Sequence, residues 1–170
     1  MPKINSDFSF YSSSVENTQE FGRRLGRVLK PLDIICLAGN LGAGKTAFAE
    51  GIARGAGFKG DVMSPSFGLV RLYRTPKLNL YHMDLFRVSE NETGEIGLED
   101  CLGDPKGAVI IEWARAARIY LTPDRLEISF EYKKEGRQII LRALGPRSRR
   151  LIDLLKLRLD PLPMGFDEIN

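Results

Sequence analysis

The sequence predicts a three-layer α/β domain whose central sheet mixes parallel and antiparallel strands. Three observations predict it. First, Gly39-Asn40-Leu41-Gly42-Ala43-Gly44-Lys45-Thr46 fits G-x-x-x-x-G-K-[ST], the pattern of a phosphate-binding P-loop, and it stands between a short apolar run and a stretch of helical spacing. Second, residues 108–113 form another apolar run, Ala-Val-Ile-Ile-Glu-Trp, of the kind a strand buried on both faces requires. Third, two pairs of strand-like runs are joined by turns too short for a crossover, so each pair is an antiparallel hairpin.

Each element has its own signal. Residues 8–11, Phe-Ser-Phe-Tyr, read as an edge strand, and Ser12-Ser13-Ser14 offers an N-cap. Residues 15–30 read as an amphipathic helix with Val15, Phe21, Leu25, Val28 and Leu29 inward, ended by Pro31. The strand–loop–helix unit covers 33–56, with the strand at 33–38; Gly55, Gly57 and Gly60 are read as breaking its helix. A loop at 63–67 leads to strands at 68–74 and 78–83, hinged on Thr75-Pro76-Lys77. Residues 84–107 read as loop with a short helix near 96–102. The second hairpin pairs 126–132 with 138–143 through Lys134-Glu135-Gly136. A last helix, basic at its start, runs over 147–159.

A chain of 170 residues is expected to be one domain, here residues 1–160, with 161–170 a mobile tail after Pro161 and Pro163. Apolar content of 43% and charged content of 28% are those of an ordinary globular protein, and a net charge of +3 permits an anionic partner without requiring one. Cys36 and Cys101 lack metal-ligand spacing; Cys36 falls in a core strand and reads as a small buried hydrophobe. With no signal-peptide core and no apolar run of membrane length, a reduced cytoplasmic setting and no membrane partner are expected.

The glycines of the P-loop let backbone N–H groups close around phosphate oxygens, at a helix N-terminus that adds positive potential. Lys45 reaches for the outer phosphates, and Thr46 presents a hydroxyl to Mg²⁺. Glu112 ends the 108–111 run, where a carboxylate faces the phosphate crevice; it also fits a glutamate that only caps a strand. Asp84 ends the strand before it and fits a turn-forming aspartate equally well. His82, the one histidine, shares Asp84's strand face and reads as a structural hydrogen-bond partner. Trp113 reads as packing or as a shield over the phosphates, and Arg87 as a surface arginine or a charge stabiliser. Ser64-Pro65-Ser66 stands where some nucleotide hydrolases keep a switch segment, or is a plain proline turn.

Together these pieces resemble one family, TsaE (formerly YjeE), over about residues 12–145. The resemblance is carried by the P-loop, by Ser64-Pro65-Ser66-Phe67, His82-Met83-Asp84-Leu85-Phe86-Arg87, Ile96-Gly97-Leu98-Glu99-Asp100, Ile111-Glu112-Trp113 and the stretch from Leu121 to Ile128. It implies a P-loop ATPase with a mixed sheet, slow alone, that uses ATP and Mg²⁺. It also implies two partner subunits, TsaD and TsaB, in threonylcarbamoyl modification of the adenosine beside the anticodon of tRNA, with contact to tRNA indirect. By match, Lys45, Asp84 and Glu112 are the catalytic residues. Gly39, Asn40, Leu41, Gly42, Ala43, Gly44, Lys45, Thr46 and Ser66 hold the nucleotide, and Thr46, Glu112 and Asp84 serve the metal. Three departures stand out: Asn40 where the family has Asp, Ser66 where it has Thr, and Ala114-Arg115 where Pro-Glu often follows the Glu-Trp pair. The last puts a base in place of an acid at the site rim.

Two other readings compete. A small-molecule P-loop kinase needs an acceptor pocket and an arginine-bearing lid, and no arginine-rich insertion interrupts the middle of the chain. A tRNA-binding module would use Arg147, Arg149, Arg150 and Lys156 as a basic strip, but no aromatics interleave them for base stacking. No [NT]-K-x-D guanine motif is present, and residues 12–18 are the candidate adenine contacts.

Overall fold

The computed structural model describes residues 7–65 and 69–157. Strand β1 (Asp7–Ser12) leads into helix α1 (Val15–Val28), capped by Ser14, whose hydroxyl accepts the Asn17 N–H at 3.1 Å. The helix stops two residues short of the expected end. Pro31 disfavours helical backbone at Lys30, and Leu29 is already extended. Val15, expected inward, is exposed at the helix's first turn.

Strand β2 (Ile34–Gly39) and helix α2 (Lys45–Ala56) flank the P-loop. Gly57, at φ 102°, ends α2, and its N–H bonds the Ala53 and Arg54 carbonyls. Gly55 does not break this helix; it lies inside it. Gly51 and Gly55 of α2 sit on the Gln19 and Arg23 carbonyls of α1, while Gly22 and Gly26 of α1 sit on the Phe48 and Ile52 carbonyls of α2. The four glycines serve close helix–helix approach, a role that the reading of Gly55 as a helix breaker missed.

The remaining elements are β3 (Val70–Arg74), β4 (Asn79–Asp84), a one-turn 3₁₀ helix at Thr93–Ile96, α3 (Leu98–Gly103), β5 (Gly107–Glu112), a second 3₁₀ turn at Ala114–Ala117, β6 (Leu126–Lys133), β7 (Gly136–Ala143) and α4 (Pro146–Leu157). The expected tail at 161–170 and the end of the last expected helix lie outside the described residues.

Among the described residues seven strands join one sheet in the order β1-β7-β6-β2-β5-β4-β3. The centre, β6-β2-β5-β4, is parallel; both expected hairpins, β3–β4 and β6–β7, are antiparallel, and β1 pairs antiparallel with β7. One face carries α1, α2 and α4, with Phe21, Phe48, Ile52 and Leu151 on Ile35, Leu37, Ile110 and Ile128. On the other face Leu98 and Ala117 cover Met83, Val109 and Ile111. This is the predicted three-layer α/β arrangement, and it brings the C-terminal ends of β2, β4 and β5 to one edge.

Candidate functional site

The loop between β2 and α2 is built on backbone that only glycine enters freely: Gly39, Gly42 and Gly44 have φ of 146°, 76° and 105°. Gly44 is the N-cap of α2, and no side chain caps it. The first amides of an α-helix have no intrahelical partner, so this end suits an anion. Two residues of the second hairpin hold the loop from outside. Tyr132 donates its hydroxyl to the Leu41 carbonyl at 3.0 Å, and Arg137 donates to the Ala43 carbonyl at 3.0 Å. Neither stood out in the sequence, because only the sheet order places β6 beside β2 and β7 beside β6.

Lys45 is buried, with 4% of its surface exposed. Its ammonium donates to the Gly39 carbonyl at 2.8 Å and the Asn40 carbonyl at 2.9 Å, and stands 4.6 Å from the centre of the Trp113 ring. Burial pulls the Lys45 pKa down, while the nearby Glu112 and Asp84 carboxylates push it back up. Trp113 itself sits in left-handed backbone at φ 59°, directly after Glu112, and its ring also packs on Phe86 at 4.9 Å. A bulky residue held there stores strain of the kind that clusters at functional sites.

Glu112 ends β5 inside the protein, 3% exposed. One carboxylate oxygen, Oε1, lies 2.9 Å from His82 Nε2 and accepts from the Thr46 hydroxyl at 3.4 Å. A carboxylate only accepts, so His82 donates through Nε2 and leaves Nδ1 bare, buried and without a partner among the described residues. The structural hydrogen-bond role read for His82 is the one it fills, and its partner is a site residue.

Asp84 is the register partner of Glu112 on the adjoining strand. Its carboxylate also accepts the Phe86 N–H at 3.0 Å, so the turn role and the place at the site coexist. Asn40, Leu41 and Gly42 are exposed at the loop tip, Ala43 is buried, and Arg87 is exposed. Ser66, with Phe67, lies outside the described residues.

The donor set that converges here is one hydroxyl, Thr46, and the carboxylates of Glu112 and Asp84. Hard oxygen donors fit Mg²⁺, which keeps waters and takes phosphate oxygens rather than demanding a full protein cage. Among the described residues no group of three His, Cys, Asp or Glu gathers as a metal cage. Cys36 is not a nucleophile of this site: burial pushes its thiol up to about 12. Of the basic strip of α4, the three arginines have acidic partners within the chain, and Lys156 stands 5.5 Å from the centre of the Phe8 ring. Arg150 binds Asp33 at 2.7 Å, Arg147 stands 3.8 Å from Asp33, and Arg149 pairs with Asp153 at 3.6 Å. No helix among the described residues is long and apolar enough to cross a membrane.

Known proteins show the same pattern. The family model for "Threonylcarbamoyl adenosine biosynthesis protein TsaE" matches residues 12–139. The tRNA threonylcarbamoyladenosine biosynthesis protein TsaE of Bacillus subtilis (strain 168) is 35% identical over 141 residues, 82% of this chain and 88% of that protein. The protein of the same description from Rickettsia prowazekii (strain Madrid E) is 35% identical over 129 residues, 75% of this chain and 88% of its own length. The crystal structure of Bacillus subtilis YdiB superposes with a TM-score of 0.76 at 30% identity, covering 89% of this chain and 95% of that one. By sequence over most of its length and by fold, the chain belongs to the TsaE family, which acts in tRNA threonylcarbamoyladenosine biosynthesis.

Proposed function

We propose that this chain is a Mg²⁺-dependent ATPase, weak alone, that cycles a TsaB–TsaD complex through ATP binding and hydrolysis during threonylcarbamoyl modification of tRNA in the cytoplasm. The observation that carries this reading is the linked set Thr46–Glu112–His82 beside Lys45, at the end of a glycine-capped helix. Thr46 and Glu112 are the residues to hold Mg²⁺, with Asp84 beside them. Bound there, the ion neutralises phosphate charge as it develops. The chain's own groups do the rest. Amides of the loop and of the first turn of α2 take phosphate oxygens. Lys45 exchanges two carbonyl partners for phosphate. Asp84 supplies an acceptor for the attacking water. His82 keeps Glu112 in one orientation.

Residues 1–160 act as one unit in this reading. Contact with tRNA is indirect, since the α4 arginines are engaged in internal ion pairs. Reconstituting the tRNA modification from purified TsaB, TsaD and this chain, with tRNA and an activated threonylcarbamoyl donor supplied, tests it. Modified tRNA should accumulate over many turnovers only with the chain and ATP present, and not with Lys45→Ala. Modification that runs for many cycles without the chain removes the role. Phosphate transfer from ATP to a small metabolite by the chain alone would make it a kinase instead.

A further inference from the structure

The sheet face over β2, β6 and β7 that points away from α1 and α2 carries a cleft of about 600 Å³. Its floor is neutral: Cys36, Ala38, Ser129 and Ile140. Strand alternation sends their neighbours Leu37, Ile128 and Leu141 into the core on the opposite side. Its walls are basic. Four arginines, Arg115, Arg118, Arg125 and Arg142, line it with a single acid, Glu127. Arg125 takes that acid at 2.7 Å and 3.1 Å, which leaves Arg115 and Arg118 without a carboxylate of the lining paired to them among the described residues. Arg115 and Arg118 are exposed. They lie three residues apart on a 3₁₀ turn and its cap, a spacing that puts side chains on the same side.

We infer that this cleft docks a carboxylate-bearing segment of a partner protein, and that its grip is linked to the nucleotide site. A neutral floor ringed by arginines is how a protein interface is built, with arginine the cation best matched to carboxylates. Single-stranded RNA wants free aromatic faces for its bases. The one aromatic residue of the lining, Trp113, has its ring against Phe86 and the Lys45 ammonium. The link to nucleotide is direct. Gly39, Asn40 and Trp113 all line the cleft, and they are the three groups that Lys45 touches. A phosphate that draws Lys45 off these carbonyls therefore changes the cleft's wall. The link rests on the nucleotide reading above; the cleft does not.

A random dodecapeptide library displayed on phage, panned on the full chain, tests both. Recovered peptides should carry two or more acidic residues beside an apolar one. Their affinity, read by fluorescence polarisation, should fall at least tenfold for Arg115→Glu/Arg118→Glu and by a smaller factor for Arg115→Gln/Arg118→Gln, the milder pair if charge reversal unfolds the chain. Both variants should bind a non-hydrolysable ATP analogue as wild type does. Peptides without acidic enrichment, or unchanged affinity in both variants, overturn the docking site. Displacement by a single-stranded RNA 20-mer at concentrations below the peptide's reassigns the cleft to RNA and overturns it too. Peptide affinity should differ at least threefold between the analogue-bound and ADP-bound chain; equal values remove the link. A chain that binds acidic peptides through these arginines but no nucleotide would sink the ATPase reading and leave the cleft standing.

Discussion

Lys45 is held in a preorganised but occupied state. Its two carbonyl partners satisfy a buried ammonium that would otherwise be costly, and in the proposed cycle phosphate takes their place. Lys45→Ala should abolish ATP hydrolysis while the fold survives. The lost charge-assisted contact is worth about 1.5–3 kcal/mol in binding alone, and turnover at the wild-type rate would refute its role. His82 offers a sharper test because it touches the site only through Glu112. Groups that orient a ligating side chain typically change metal affinity by about 10–100-fold when removed. His82→Leu should therefore raise the Mg²⁺ concentration for half-maximal activity by about tenfold, whereas His82→Gln, which can still donate to Glu112, should raise it less. Equal Mg²⁺ requirements in wild type and both variants would reduce His82 to packing.

At the scale of elements, α1 and α2 meet through glycines on both helices, so helix propensity and packing oppose each other there. Replacing an interior glycine by alanine favours an isolated helix by about 1 kcal/mol. At Gly26 the added methyl meets the Ile52 carbonyl and the Ala56 amide nitrogen, backbone atoms that cannot step aside. Gly26→Ala should therefore lower stability by about 1–3 kcal/mol, and a raised denaturation midpoint would show that the helices can part. Asp124 ties another junction. Its carboxylate accepts from the Arg147 and Ser148 amides at 2.7 Å and 2.9 Å and so caps α4 from a distant loop. Desolvation pushes its pKa up, but the bonds from Ser148 and Arg147 win and leave it below the ordinary 3.8. A carboxylate with a lowered folded pKa contributes stability above pH 3.8 that is lost as pH falls through the folded value. Asp124→Asn should then cost about 0.5–2 kcal/mol at pH 7 and flatten the acid side of the stability profile. Parallel profiles for wild type and variant below pH 4 would rule out this cap as a source of the acid sensitivity.

For the whole molecule, the parallel centre β6-β2-β5-β4 gathers the site from residues 39 to 137 at one edge. A ligand bound across that edge should stabilise the entire fold. At a hundredfold excess over Kd the gain is about 2.7 kcal/mol, which for a domain of this size is roughly 5–10 °C in Tm. ATP with Mg²⁺ should produce that shift in the wild type and not in Lys45→Ala, and Glu112→Gln should lose the part that depends on Mg²⁺. A shift identical in all three proteins would place the nucleotide elsewhere.

Much of this protein was legible in the chain itself, because local chemistry dictates it. Glycine at 39, 42 and 44 is needed for left-handed backbone, a property of single residues. Ser14 caps α1, and the hairpins follow from turns too short for a crossover. The run ending in Glu112 is buried on both faces, as an unbroken apolar stretch demands. Tertiary structure decided what depends on elements distant in sequence. Sheet order alone brings Tyr132 and Arg137 to the P-loop and sets Asp84 in register with Glu112. Gly55 reads as a breaker until two helices press together, since close approach is a property of a pair and no single helix records it. The same holds for His82. Its strand face follows from parity, but the carboxylate it holds lies thirty residues away, and only the pairing of β4 with β5 brings the two within 2.9 Å.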